Sequence, residues 1–258
     1  MTVSPARYLD SHCHLQPGSL TPSQKGMRER TGRAGVIRML CNATSEADWQ
    51  AVVDLAADRQ EIVPFLGIHP WFAANAAAGW EQRLRALLEQ IPAGIGETGL
   101  DRSCRTDFAC QQQIFTGQLQ MASELRRPLV IHCVKAWGRL LELLEQCPKP
   151  LPPIMIHAFS GSGETLRRLI RCGCFISYST RLATESKLRP SFLTTPLANL
   201  LLETDAPAQL NHQMFSDEPA AITALYRLAA DLRGIALNEF CREIWHNGTI
   251  FTDTILPR

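Results

Sequence analysis

The chain has 258 residues, of which 45% are hydrophobic and 20% charged, and its formal net charge is +1. That length admits one large domain or two small ones, with enough apolar material for a substantial core. Near-neutrality excludes a general cationic coat for nucleic acid or anionic membrane, so a polyanionic substrate has to be gripped at a local site.

No run reaches the roughly 18 uninterrupted apolar residues of a membrane span. The opening MTVSPARYLD lacks the basic start and apolar run of a secretory signal. Nine cysteines, an odd number without C-x-x-C spacing, fit reduced thiols and a cytoplasmic setting. Cys172 and Cys174 then read as small hydrophobic residues.

Two strands are predicted first, RYLDSH (7–12) and GVIRMLCNA (35–43). The stretch 45–59 follows as a helix with Trp49, Val52, Val53 and Ala56 on one face and Ser45 as N-cap. A strand at 62–70 (IVPFLGIHP) precedes a helix at 80–90 bearing Leu84, Leu87 and Leu88. AGIGET (93–98) leads to a helix at 111–125, PLVIHC (128–133) to one at 138–146, and PPIMIHAF (152–159) to one at 164–173 closed by Gly173. GCFISYS (173–179) and ANLLLETDAP (198–207) are the last strands, and helices at 219–234 and 238–247 end the chain.

Eight apolar strands alternating with helices, at about the thirty-residue interval of a βα unit, imply parallel pairing with both sheet faces covered. The expected fold is α/β, a (β/α)8 TIM barrel, with a doubly wound open sheet as the alternative. No linker, repeat or low-complexity tract interrupts it, so residues 1–258 read as one domain.

In such a barrel the active site forms where the strands end. His12 and His14 end the first predicted strand, His69 the third, Glu97 the fourth, His132 the fifth, His157 the sixth, and Glu203 and Asp205 the eighth. Residues two apart on a strand share a side, so His12 and His14 can reach one cation while Cys13 points away. A lone H-x-H is weak, and His132 or His157 alone could be a core histidine bonded to a carbonyl. Several histidines and carboxylates converging on one rim instead match the ligand chemistry of one or two divalent ions.

Gly94, Gly96 and Gly99 fit G-x-G-x-x-G, but no helix opens in that loop and Glu97 would repel a pyrophosphate, so the dinucleotide reading fails. The glycines serve close backbone approach. FSGSG (159–163) is not a nucleophile elbow. Residues 160–163 offer either an anion site at a helix N-terminus or a plain capping loop.

The segments LDSHCHL, GIHPWF, IGETGLD, Gln111 with Phe115, VIHC, IHAFSGS, LLETDAP and Asn247 resemble, in order and along nearly the whole chain, the TatD-type metal-dependent deoxyribonucleases of the amidohydrolase-like barrel superfamily. The resemblance implies that His12, His14, Glu97 and Asp205 hold one divalent ion, with Glu97 bridging to a second held by His132 and His157. The ions would be zinc, magnesium or manganese. By the same resemblance His69 faces a substrate phosphate, and Glu203 supports a ligand or the attacking water among the substrate contacts. The implied activity is hydrolysis of DNA phosphodiesters from a 3′ end, with Asp205 as general base and Glu97 and His69 in the catalytic group. DNA is the expected partner, with no membrane and no obligate protein partner.

Two departures qualify the transfer. Val134 stands where members often carry arginine, and Arg102 follows GLD where many have an aromatic residue. Phosphate contacts are therefore expected from Arg102 and Lys135, or the substrate is a small phosphodiester, ester, lactone or amide. A metal-stabilised binding protein without turnover is the third reading. Trp71, just after His69 and Pro70, is either a base-stacking group or a packed rim aromatic.

Overall fold

The computed structural model describes residues 7–16, 34–207 and 218–256. The reading of residues 1–6 as no signal lies outside them. Eight strands form one sheet in the order β1 to β8: Tyr8–Cys13, Val36–Asn42, Ile62–Leu66, Gly94–Asp101, Leu129–Val134, Ile154–Ile156, Phe175–Tyr178 and Leu200–Leu202. Every neighbouring pair is parallel. The isolated bridge Cys13 to Ala206 then brings the last strand back to the first, so the sheet is a nearly closed (β/α)8 barrel.

Nearly all strand positions are buried, as expected where side chains fill the barrel on one face and meet helices on the other. The covering helices are α1 (Trp49–Asp58), α2 (Trp80–Gln90), α3 (Phe108–Leu125), α4 (Trp137–Gln146) and α5 (Gly163–Arg171). Two short helices, α6 (Arg181–Thr184) and α7 (Arg189–Thr194), fill the crossover from β7 to β8, and α8 (Glu218–Arg233) and α9 (Leu237–Phe251) follow.

Several strands stop earlier than their apolar runs. β3, β6 and β8 end before His69, His157, Glu203 and Asp205, which stand on the loops immediately after them. On α1 the buried residues are Trp49, Val52 and Leu55, with Val53 and Ala56 only partly buried. Ser45 is not its cap. The N-cap is Asp48, whose carboxylate turns back to accept the amides of Thr44 and Ser45 and the amide group of Gln16. On α5 the hydroxyl of Ser162 accepts the amide of Thr165, so this helix start is capped by its own side chain. Its end is a Schellman turn in which Gly173 N–H reaches Ile170 and Cys174 N–H reaches Leu169.

Two buried glutamines make α3 more than an apolar cover. Gln118 accepts the amide of Ile68 and donates to its carbonyl and to Thr98, joining the β3 end to β4. Gln111 accepts the Asp101 amide and donates to the Asp101 carbonyl. Together they fix the two loop entrances on which the site depends.

Candidate metal centre

Glu97 is the hub of the rim. It projects from β4, is 3% exposed, and addresses a different histidine group with each oxygen. Oε2 lies 3.3 Å from both His12 Nε2 and His14 Nε2. Oε1 lies 2.9 Å from both His132 Nδ1 and His157 Nε2, and 3.4 Å from His69 Nε2. Asp205 Oδ1 stands 3.6 Å from His12 Nε2 and 3.7 Å from His14 Nε2. Six strand ends thus contribute to one cluster.

Local structure explains each position. His14 follows the last residue of β1, yet its amide still bonds the Ala206 carbonyl, so the strand direction continues and the two Nε2 atoms come within 3.1 Å. Cys13, between them, turns outward to the Leu40 carbonyl. Lys135, Ala158 and Asp205 carry φ of 52°, 44° and 54° just past β5, β6 and β8. Non-glycine residues in this region are uncommon and gather where the chain is forced to redirect side chains.

Outer partners decide which imidazole nitrogens carry protons. His14 Nδ1 donates to the Asn42 carbonyl at 2.8 Å, and His157 Nδ1 to Glu203 Oε1 at 3.2 Å. His132 turns the other way, with Nε2 toward Asp101 Oδ2 at 3.4 Å. In their neutral forms all three therefore aim a lone pair at Glu97. His69 is the opposite case. Its Nδ1 accepts the Trp71 amide, which leaves the proton on Nε2 and makes it a donor toward Glu97 rather than a ligand. Burial holds His69 down to about 4, against the pull of Glu97, so it stays neutral.

This donor set fits a divalent cation. His132 Nδ1, His157 Nε2 and Glu97 Oε1 form a triangle with sides of 3.2, 2.9 and 2.9 Å. Ligand atoms about 2.0–2.1 Å from a tetrahedral ion are separated by roughly 3.3 Å. Two lone pairs and a carboxylate oxygen this close repel unless a positive charge sits among them. Protons take that role in the metal-free protein. Burial opposes charging His157, but Glu97 and Glu203 outweigh it and raise its pKa strongly; His132 is raised too, by Asp101 and Glu97 against burial. Glu97 is held well below the usual carboxylate range, the surrounding imidazoles overcoming its burial. His12 stacks on His157 with ring centroids 4.1 Å apart, and its Nδ1 has no partner among the described residues.

Glu203 is fully buried behind His157 and accepts that ring and the Ala158 amide, so of its two expected roles, support of a ligand and contact with substrate, its position fits the first. Arg102 and Lys135 occupy adjacent loops joined by the bond from Arg102 N–H to the Val134 carbonyl. The Arg102 guanidinium lies over the Phe108 ring, 3.8 Å from its centroid.

Sequence reasoning left two carboxylates without roles. Asp10 accepts the amides of Thr204 and His12, binding β1 to the chain that carries Asp205, and burial pushes it up to about 7. Asp101, 1% exposed, holds both His132 and the indole of Trp71. The signal for Asp101 was available in GLD, an acidic residue at the end of an apolar strand, which has to find donors if buried.

A family model described as TatD related DNase matches residues 9–251. The Escherichia coli K12 protein YjjV, named an uncharacterized metal-dependent hydrolase, is 28% identical over 249 residues, covering 93% of this chain and 96% of YjjV. A Pantoea ananatis protein named 3′-5′ ssDNA/RNA exonuclease TatD is 32% identical over 231 residues, covering 84% and 88%. The crystal structure of YjjV superposes with a TM-score of 0.85 at 27% identity, covering 95% of this chain and 98% of that one. The strand-end histidines and carboxylates of the present chain thus sit within a barrel that the family model matches from β1 to α9, and the chain belongs to the TatD related DNase family.

Proposed function

We propose that this chain is a metal-dependent hydrolase that removes nucleotides from the 3′ end of single-stranded DNA. The observation that carries the reading is Glu97, whose two oxygens each face a separate group of imidazoles. His12, His14, Asp205 and Glu97 Oε2 would hold one divalent ion, and His132, His157 and Glu97 Oε1 a second, with zinc, magnesium and manganese all suited to such ligands. Bound there, the ions supply Lewis acidity toward a phosphoryl oxygen and make a water acidic enough to attack near neutral pH. Asp205, beside His12 and His14, would accept the proton of the attacking water. His69, neutral with its one proton on Nε2, directs a hydrogen bond from that N–H to an oxygen of the phosphoryl group as charge develops on it. Residues 1–258 act as one unit on DNA in the cytoplasm, without an obligate protein partner. Among the described residues no helix is long and apolar enough to cross a membrane.

A second reading keeps the hydrolase and changes the substrate to a small phosphodiester, ester or amide. It is favoured by Val134 at the expected arginine position and by the Arg102 side chain lying on Phe108. Elemental analysis of the purified protein, followed by metal-reconstituted assays on end-labelled single-stranded DNA, bis(p-nitrophenyl) phosphate and an ester panel, separates the two. Glu97→Ala and Asp205→Asn are expected to lower kcat/KM on DNA by about 1,000-fold or more. Full nuclease activity in both variants would remove the proposal, and ester turnover without DNA cleavage would favour the second reading.

A further inference from the structure

We propose that Trp71 is a nucleobase-stacking platform at the edge of the metal centre, its indole held by Asp101, so that the site prefers base-bearing strand ends to bare phosphodiesters. This rests on the nuclease reading above and names what selects its substrate.

Trp71 is 56% exposed, yet it is tied down at three points. Its indole N–H donates to Asp101 Oδ2 at 2.7 Å, its amide to His69 Nδ1 at 3.2 Å, and its carbonyl accepts the Thr106 hydroxyl at 2.9 Å. A rim tryptophan that merely packs hides its ring. This one leaves apolar surface in water while its polar atom is spent on a buried carboxylate, an arrangement that costs free energy unless something covers the ring. The ring centroid lies 4.9 Å from that of His69 and 6.4 Å from that of His132, so a group stacked on it adjoins the phosphate-facing donor and the ligand cluster. With the N–H already taken, what remains is an apolar π face. Such a face accepts any base and reads no sequence. Asp101 links this platform to the centre, since the same Oδ2 also faces His132 Nε2. Asp101 is thus a positioning residue for both.

The test compares a single-stranded oligodeoxynucleotide carrying ordinary 3′-terminal bases with a matched strand ending in abasic tetrahydrofuran residues. The native protein is expected to show a KM roughly 5- to 100-fold higher for the abasic strand. Trp71→Ala should raise KM for the base-bearing strand toward that for the abasic strand and so erase the ratio, while Trp71→Phe, which keeps a π face but lacks the N–H that Asp101 holds, restores only part of it. Asp101→Ala should shrink the same ratio, which a displaced His132 alone would not alter. A native ratio near one, or a Trp71→Ala protein that keeps it, overturns the proposal although nuclease activity persists. If neither strand is cleaved the nuclease reading fails. Quenching of tryptophan fluorescence by phosphorothioate-linked versions of both strands then decides stacking, with a base-dependent Kd lost in Trp71→Ala expected and equal Kd values overturning it.

Discussion

Proton placement on a few imidazoles governs what this rim can do. His157 presents Nε2 inward because Glu203 takes the proton of Nδ1, and Glu203 is in turn fixed by the Ala158 amide. Glu203→Gln keeps the volume but loses the charge that holds this tautomer. It is expected to weaken divalent-ion binding about 10- to 100-fold, measured by chelator competition. An unchanged affinity would show that the tautomer is held by something else. His14 sets a pH dependence. Burial opposes its protonation, but Glu97 and Asp205 outweigh burial and raise it to about 9 from an ordinary 6.5. A raised folded-state value stabilises the metal-free protein fully below about pH 6.5, and that stabilisation is lost as pH rises through about 9. The EDTA-treated protein should therefore melt at progressively lower temperature between pH 6.5 and 9, and its metal affinity should climb over the same interval as the competing proton departs. Calorimetry in buffers of different ionisation enthalpy checks the proton release.

At the scale of elements, the histidine-bearing ends are held by contacts between a strand and the helix or strand beside it. β4 and β5 approach so closely at Gly99 that a Cβ there would collide with the His132 carbonyl, and Gly99 has φ of 146°, where side chains are disfavoured. Gly99→Ala is expected to cost about 3 kcal/mol or more, lowering Tm by roughly 6–12 °C. It should also displace His132 and weaken ion binding. Circular dichroism melts and metal titration read both effects, and a variant with native Tm would refute the packing argument. The apolar runs predicted all eight strands and most helices because an element buried on one or both faces writes its period into the chain. α6 and α7 left no such trace, being four and six residues long. Nor could Gln118 be told from the exposed Gln120 on α3, because burial of a glutamine depends on whether a facing strand end offers it partners.

At the scale of the whole molecule, the chain has to close a barrel whose first and last strands meet at only one bridge among the described residues. The C-terminal helices complete the closure. The Tyr226 hydroxyl on α8 accepts the Leu9 amide and donates to its carbonyl, satisfying a part of β1 that β8 does not reach. Asn247 on α9 donates to the carbonyls of Leu197 and Leu200, clamping the entry to β8. Its place among the sequence motifs is therefore a matter of folding. Asn247→Ala leaves two carbonyls without that donor and should destabilise by about 1–3 kcal/mol, or roughly 3–10 °C in Tm. kcat/KM should stay within about twofold. A large loss of activity at native stability would contradict this role.

What the amino-acid order determined by itself was the alternation of buried strands with amphipathic helices and the placement of His12, His14, His69, Glu97, His132, His157 and Asp205 at strand ends. Periodicity and burial are local properties, and motif order is retained along the chain. What the tertiary structure decided was which nitrogen of each ring faces inward, that Glu203 stands behind His157, and that Asp101 joins His132 to Trp71. Those outcomes depend on atoms brought within about 3 Å by residues many positions away, a distance no local pattern encodes.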